Sequence, residues 1–361
     1  MIHYPSPLGD VYLGGPPDEI SHVLKRMTVS SRFLVVDPNT QSQCLPLLQD
    51  FIQHDFVIVL PSGETQKNID QCASLWTSLI EQGADRESLI INLGGGVICD
   101  LGGFAASCFQ RGVRFVQIPT TVTAMTDAAI GGKVGIDFKT YKNYIGLFRA
   151  PEWIWVYPPF IDSLPRLEKI SGLAEIVKHA IIGSRPLWER LQQIRDMESM
   201  HWESLLELSI PVKLHAVATD PYDKGLRKTL NFGHTIGHAL ESYYLTTESP
   251  LTHGQAVTLG MMAESKLAVN HGLLPEKTFE EILELIYRLL APPSLAIPDT
   301  ATLYTWIRRD KKMTYGNPSY SLPDGIGSCR WDIMPAEIHS SIEWLQEHVS
   351  SFPHRFISNP H

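Results

Sequence analysis

Leu89-Ile-Ile-Asn-Leu-Gly-Gly-Gly-Val-Ile-Cys-Asp100 begins as an apolar run too short for a helix, turns through glycines, and enters a segment of helical pattern. Strand, glycine turn, helix is the unit of a parallel sheet with both faces covered. Similar short runs flank it: Phe33–Val36, Phe56–Leu60, Phe115–Ile118 and Trp153–Tyr157, with helical patterns over 41–54, 67–82 and 97–109 between them. The spacing predicts a Rossmann-like α/β domain over residues 1–162. Such sheets bind ligands beyond the carboxyl ends of their strands, and the unusual residues lie there. Asp37 and Asn39 follow the first strand, Glu64 and Lys67 the second, and Gly95, Gly96, Val97 and Asp100 the third. Thr120, Thr121 and Asp127 follow the fourth. A glycine turn opening a helix lets backbone N–H groups approach a pyrophosphate. Cys99 stands where the full dinucleotide fingerprint wants glycine, so a tight turn without ligand is an equal reading at this point. Lys133, Lys142 and Asn143, set among glycines, read as a loop able to wrap an anion.

From residue 163 the pattern is helical, over 165–182, 186–218, 229–244, 254–270, 276–290 and 335–349, with a small hairpin near 319–331. Pro158-Pro159 marks the expected boundary of a second, all-α domain over 163–361, whose last ten residues read as a loose tail. Within it, Asn231-Phe-Gly-His-Thr-Ile-Gly-His-Ala-Leu-Glu241 places His234 and His238 on one helical face, a metal-ligand spacing. Thr235 excludes the zincin motif, which needs glutamate there. Glu175 and Lys178 share an otherwise apolar helix, and His253 opens a later one. Glu175, His234 and His253 would make a His₂Glu set with open positions for substrate oxygen; Glu175 with His179 competes, and spacing does not choose between them.

The chain has 361 residues and a formal net charge of −9, which argues against nucleic-acid or anionic-membrane partners. Any anionic ligand must then be met by locally gathered cations. Five cysteines without Cys-x-x-Cys spacing suit a reducing compartment, and no signal segment or membrane-length apolar run is present, so the expectation is cytoplasmic.

In this order, the stretches Gly94–Asp100, Ile118–Thr121, Gly131–Lys133, Lys142-Asn143, Gly172–Lys178, Gly225–Arg227, Leu230–His238 and Asp310–Lys312 resemble the 3-dehydroquinate synthase family, over about Asp37 to Gly327. The resemblance implies NAD in the N-terminal domain, zinc (or cobalt) in the C-terminal one, and a homodimer. It carries the metal ligands onto Glu175, His234 and His253, which decides against His179. It implies NAD contacts at Asp37, Glu64, Lys67, Gly95, Gly96, Val97, Asp100, Thr120, Thr121 and Asp127. The implied substrate shell is Arg111, Lys133, Asn143, Lys178, Lys213, Arg227, Asn231, His238 and one or both of Lys311 and Lys312, with Arg111 reaching the partner subunit's site. Departures are Gln255 where a glutamate is common, Pro221-Tyr222 where acidic residues are common, and a slightly longer span between His234 and His253.

The implied reaction converts the anionic sugar phosphate 3-deoxy-D-arabino-heptulosonate 7-phosphate to 3-dehydroquinate and phosphate, in the shikimate pathway to aromatic amino acids. It runs by transient oxidation at C5, phosphate elimination, re-reduction, ring opening and aldol closure, with NAD recycled. Other sugar-phosphate cyclases, making 2-deoxy-scyllo-inosose or 2-epi-5-epi-valiolone, share that chemistry on substrates without a carboxylate. Lys213, Arg227 and Asn231 together favour the carboxylate-bearing substrate. A metal-dependent polyol dehydrogenase would have no use for the phosphate-binding cations.

Overall fold

The protein is described by a computed structural model over residues 1–139, 141–308, 313–314, 317–335 and 338–351. Lys311, Lys312 and the expected tail over 352–361 lie outside the described residues. The chain forms two compact units: Met1–Lys169 with Trp202–Tyr222, and Ile170–His201 with Asp223–His361.

The first unit is built on a seven-stranded sheet. Its strands are β1 (Ile2–Tyr4), β2 (Asp10–Leu13), β3 (Arg32–Val36), β4 (Phe56–Val59), β5 (Leu89–Gly94) and β6 (Arg114–Pro119). After a separate hairpin of β7 (Lys133–Phe138) and β8 (Tyr141–Phe148), the chain returns to it as β9 (Trp153–Val156). The order is β1-β2-β9-β6-β5-β3-β4, parallel except for the β1–β2 pair. β5 is buried along its whole length, as a central strand covered on both faces must be. The chain leaves β3 outward to β4 but leaves β5 in the opposite direction, to β6. Their carboxyl ends therefore flank the point where the winding reverses, the position at which such sheets open a crevice.

Helix Gly96–Cys108 lies close on this sheet and on the β7–β8 hairpin because glycines permit it. A Cβ at Gly102 would sit 2.0 Å from Asn92 Oδ1, and one at Gly103 would sit 2.5 Å from Val134 Cγ1. Phe33, Val35, Ile90, Leu101, Phe104, Ala105, Phe115 and Ile136 form the core beneath it.

Several expectations are corrected. The helix expected over 41–54 is only Pro38–Gln43, followed by a 3₁₀ turn at Leu45–Leu47 where Pro46 cannot donate to a helical ladder. The single helix expected over 186–218 is two, Arg185–Gln192 and Trp202–Thr219; between them Asp196 Oδ1 accepts the Ser199 amide at 2.9 Å and turns the chain. Trp202–Thr219 buries Leu205, Leu206, Ile210 and Val217 within the first unit, packing near β2 and the turn Ala124–Ala128. The units thus differ from the linear division at 162/163. Lys133, Lys142 and Asn143 stand on the β7–β8 hairpin, not on a loop.

The second unit is helical: Arg166–Gly183 (whose first turn belongs to the other unit), Arg185–Gln192, His234–Tyr244, His253–Asn270, Glu276–Leu290, Thr300–Ile307 and His339–Ser351. A hairpin, Tyr320–Gly325 with Ser328–Ile333, joins them. The expected helix over 229–244 breaks at Gly233, whose φ of 76° ends a 3₁₀ turn at Leu226–Asn231 and starts the histidine helix. Its partner His253–Asn270 crosses it at glycines. A Cβ on Gly260 would lie 1.9 Å from the Gly233 carbonyl oxygen, and one on Gly237 would lie 2.9 Å from that of Ala256.

Candidate functional site

Residues 170–182 of helix Arg166–Gly183 are all buried, which places Glu175 and Lys178 wholly in the interior of the second unit. Such an ionised carboxylate is tolerated only if paired. Lys178 Nζ contacts Glu175 Oε2, one turn along the same helix. Glu175 Oε1 lies 3.1 Å from His253 Nε2 and 3.5 Å from His234 Nε2. Burial alone would raise the Glu175 pKa, but Lys178, His234 and the histidine hydrogen bonds hold it well below the usual carboxylate range. His234 Nδ1 is 3.0 Å from the Phe232 carbonyl, which can only accept, so Nδ1 carries a hydrogen and Nε2, facing Glu175, is the nitrogen a cation would take once its proton has left. Burial disfavours the protonated His253 ring, yet hydrogen bonds to Glu175 and Glu241 push its pKa up to about 10.

The ligand atoms of Glu175, His234 and His253 all lie within 4.8 Å of one another. A tetrahedral zinc with ligands at about 2.0–2.1 Å sets neighbouring ligand atoms roughly 3.3 Å apart. The two measured spacings bracket that value, and one anionic oxygen with two imidazole nitrogens is a suitable donor set, so the residues fit a zinc-class cation. His179, buried on the same helix, belongs to neither group of convergent ligands among the described residues. His238 and Glu241 form a second group with His253, and Glu241 Oε2 is 3.7 Å from His253 Nδ1. The His238 ring stands 5.2 Å from that of His234.

Thr252 and Gln255 close a capping box that fixes the first turn of the His253 helix. Gln255 is one of the noted departures, and it performs at that position what a glutamate would. Glu241 and Glu264 were not singled out from sequence. Glu241 carries a signal, lying at i+3 from His238 on the same helix; Glu264 carries none, because its partners are backbone groups of another helix. Arg227 is buried in the 3₁₀ turn and Asn231 is half-buried at its end, so neither shares the helix of His234.

In the first unit, Asp37 caps helix Pro38–Gln43, its Oδ1 accepting the Thr40 amide at 2.9 Å, while Asn39 is exposed on that helix. Gly95, Gly96 and Val97 begin helix Gly96–Cys108, whose N-terminus has no side-chain cap. Close packing would oppose side chains at this turn: a Cβ on Gly95 would meet Thr121 Cγ2 at 3.0 Å. Uncapped first-turn amides beside the reversal point, with Asp37 across it, fit a dinucleotide pyrophosphate and ribose. Thr120 is buried, its amide bonded to the Gly94 carbonyl at 2.9 Å.

A polar cluster stands beside this turn. Lys67, 4% exposed, places Nζ 2.6 Å from Asp100 Oδ2 and donates to Asn143 Oδ1 at 2.5 Å. Burial opposes the Lys67 charge, but Asp100 and Glu64 outweigh it and raise its pKa; burial raises that of Asp100, with Lys67 pulling the other way. Lys142 Nζ is 3.9 Å from Glu64 Oε1. Lys213 reaches Asp127 at 2.5 Å from helix Trp202–Thr219, so that helix brings a candidate cation into the first unit. Lys133 is exposed on the hairpin. Arg111 is exposed with φ of 72°, beside Gln110 at 47°, in the turn before β6.

Structurally, this is the class of chains that join a doubly wound sheet unit to a helical unit carrying a His₂Glu constellation. Residues 57–171 match the family described as 3-dehydroquinate synthase N-terminal, and residues 172–313 that described as 3-dehydroquinate synthase C-terminal. A relative from Parabacteroides distasonis named 3-dehydroquinate synthase is 35% identical over 338 residues, covering 91% of this chain and 95% of its own. The chain belongs to the 3-dehydroquinate synthase family. Among solved structures it is similar to a 2-epi-5-epi-valiolone synthase from Streptomyces hygroscopicus with NAD⁺ and Zn²⁺ bound (TM-score 0.83, 24% identity, 97% of this chain and 99% of that one). A 2-deoxy-scyllo-inosose synthase complexed with carbaglucose-6-phosphate, NAD⁺ and Co²⁺ gives a TM-score of 0.81 at 20% identity, covering 97% and 99%. At those identities the likeness is one of fold.

Proposed function

We propose that the chain is a 3-dehydroquinate synthase, a carbon–oxygen lyase converting 3-deoxy-D-arabino-heptulosonate 7-phosphate to 3-dehydroquinate and phosphate with NAD and zinc or cobalt. The observation that carries the reading is the single carboxylate oxygen of Glu175 set 3.1 and 3.5 Å from the ligating nitrogens of His253 and His234. When bound, the cation supplies Lewis acidity towards a substrate hydroxyl and NAD supplies reversible hydride transfer.

The rest of the chemistry falls to side chains. Lys178 keeps Glu175 anionic, as a ligand must be, and presents an ammonium beside it. His238, near the ligands but outside their set, relays the proton of the C5 hydroxyl. Lys133, Asn143 and Arg111 of the first unit are assigned to the phosphate, and Lys178, Lys213, Arg227 and Asn231 to the carboxylate and hydroxyls. Lys67 donates to the Asn143 side-chain oxygen and so fixes the orientation of that amide. Asp37, Glu64, Gly95, Gly96, Val97, Asp100, Thr120, Thr121 and Asp127 make up the dinucleotide shell, with Asn39 and Lys142 at its rim.

The working form in this reading is a homodimer in the cytoplasm. Support comes from β8, an eight-residue strand exposing Tyr141, Tyr144, Ile145, Leu147 and Phe148, apolar surface of the kind a second copy covers. Among the described residues the cysteines are all free, as in a reducing compartment, and no helix is long and apolar enough to cross a membrane.

The test mixes protein, NAD⁺, Zn²⁺ and the heptulosonate phosphate and follows phosphate and 3-dehydroquinate together. Equal release of both without net NADH is expected. Bulk NADH accumulating on simple polyols, with no phosphate released, would reassign the chain to a dehydrogenase. His238→Ala should lose turnover yet keep stoichiometric zinc, whereas Glu175→Gln should lose both.

A further inference from the structure

Gly233 begins the histidine helix in the left-handed region, φ 76°, where a Cβ would lie 2.5 Å from Met261 Cγ. The position that normally carries a serine, threonine or aspartate cap therefore has to be glycine, and this helix has no side-chain cap of its own. A carboxylate arrives from elsewhere. Glu264, wholly buried on helix His253–Asn270, accepts the Gly233 amide at 2.6 Å through Oε2 and the Ile236 amide at 2.9 Å through Oε1. Ile236 is the third residue of the helix, so Glu264 bonds the amide that a serine or aspartate cap would bond. Its negative charge also sits against the positive end of the helix dipole.

We infer that Glu264 is a positioning residue for the metal site: it fixes the first turn of one ligand helix from the body of the other. His234 lies between the two clamped amides, those of Gly233 and Ile236, and its Nδ1 leans on the Phe232 carbonyl just before the clamped segment. Glu264 lies about three turns beyond His253 on the helix that His253 begins. Gly260, one turn before Glu264, gives the close approach that lets the carboxylate reach across. The clamp thus ties the backbone of both imidazole ligands into one rigid body before any cation arrives. Outer-shell groups that hold metal ligands in orientation are worth about 10- to 100-fold in metal affinity, and Glu264 acts on the same orientation through the ligand's backbone.

The inference rests on the metal reading above, and its test separates the two. Full-length wild type, Glu264→Gln and Leu187→Ala (a buried leucine on another helix of the same unit, a matched destabilisation) are titrated with zinc against a chromophoric chelator at 25 °C, well below melting. The glutamine offers one acceptor and one donor to two N–H donors. We expect its zinc affinity to fall at least tenfold, while Leu187→Ala, though less stable, stays within twofold of wild type. Glu264→Gln within twofold of wild type overturns the inference and leaves the metal reading standing. Wild type that binds no zinc overturns both. If Glu264→Gln does not fold, amide exchange in zinc-free wild type decides: Gly233 and Ile236 protected as strongly as in the loaded protein supports a built-in clamp, and protection that appears only with zinc refutes it.

Discussion

Replacing Lys67 by methionine removes the cation beneath a three-way junction of the first unit. The ammonium is 4% exposed and 2.6 Å from Asp100 Oδ2, whose side chain is 16% exposed, and it also holds Asn143. Removing one partner of a buried pair costs about 3–5 kcal/mol because the remaining charge keeps its desolvation penalty. The partial exposure of Asp100 argues for the lower end, about 3 kcal/mol. For a unit of about 190 residues each kcal/mol shifts the midpoint by roughly 2–4 °C, so a loss of about 6–12 °C is expected. The pH dependence has a definite sign. Burial already raises the Asp100 pKa, and without Lys67 it rises further. A folded pKa above the unfolded one gives stability that is present at low pH and lost as pH rises through the folded value. The deficit of the variant should therefore shrink on going from neutral pH towards the ordinary carboxylate range. Adding Asp100→Asn should recover more than half of it at neutral pH, since no charge is then stranded. Calorimetry of the whole chain reads the shift, and hydrogen exchange over Ile69–Glu81 and Gly96–Cys108 identifies the unit that loosens. A midpoint within about 2 °C of wild type, or a double variant no better than the single, would refute the reasoning.

Gly260→Ala puts a methyl group 1.9 Å from the Gly233 carbonyl oxygen, and should cost at least the roughly 3 kcal/mol at the upper end of overpacking effects; an unchanged thermal melt would contradict the crossing described. Burial raises the thiol pKa of Cys44 to about 11 and of Cys72 to about 12, leaving about one thiolate in a thousand or fewer at pH 8. Native-state labelling with a thiol reagent should find exposed Cys108 first, and rapid modification of Cys72 would show that its burial is wrong. Gln255→Glu should leave stability within about 0.5 kcal/mol, because either side chain closes the capping box with Thr252, as a denaturant titration would show.

Much of the fold was legible because β-branched runs of strand length alternate with helical patterns, and because glycines mark the places where a helix must lie close on a strand or another helix. The carboxylate and imidazoles of the metal set were legible as residue types, but their convergence came from the resemblance, since Glu175 and His253 are far apart in the chain. Hairpin β7–β8 read as a loop because glycines at 132, 135 and 146 look like flexibility, whereas Gly135 and Gly146 face each other so closely that a Cβ on either would meet the opposite strand's carbonyl oxygen at 2.7 or 2.6 Å. The break after Gln192 escaped because helical periodicity resumes at Trp202. Glu264 escaped because a carboxylate bonded to another helix's amides leaves no pattern in its own.

The return of Trp202–Thr219 to the sheet unit means that the polypeptide changes unit at 169/170, again at 201/202 and again at 222/223. No single cut separates two self-sufficient halves. A fragment ending near residue 162 lacks the helix that supplies Lys213 to Asp127, and the complementary fragment carries that helix with its apolar side bare. Shuffling halves between relatives at one crossover would fail for the same reason; a workable exchange has to move residues 202–222 together with the sheet.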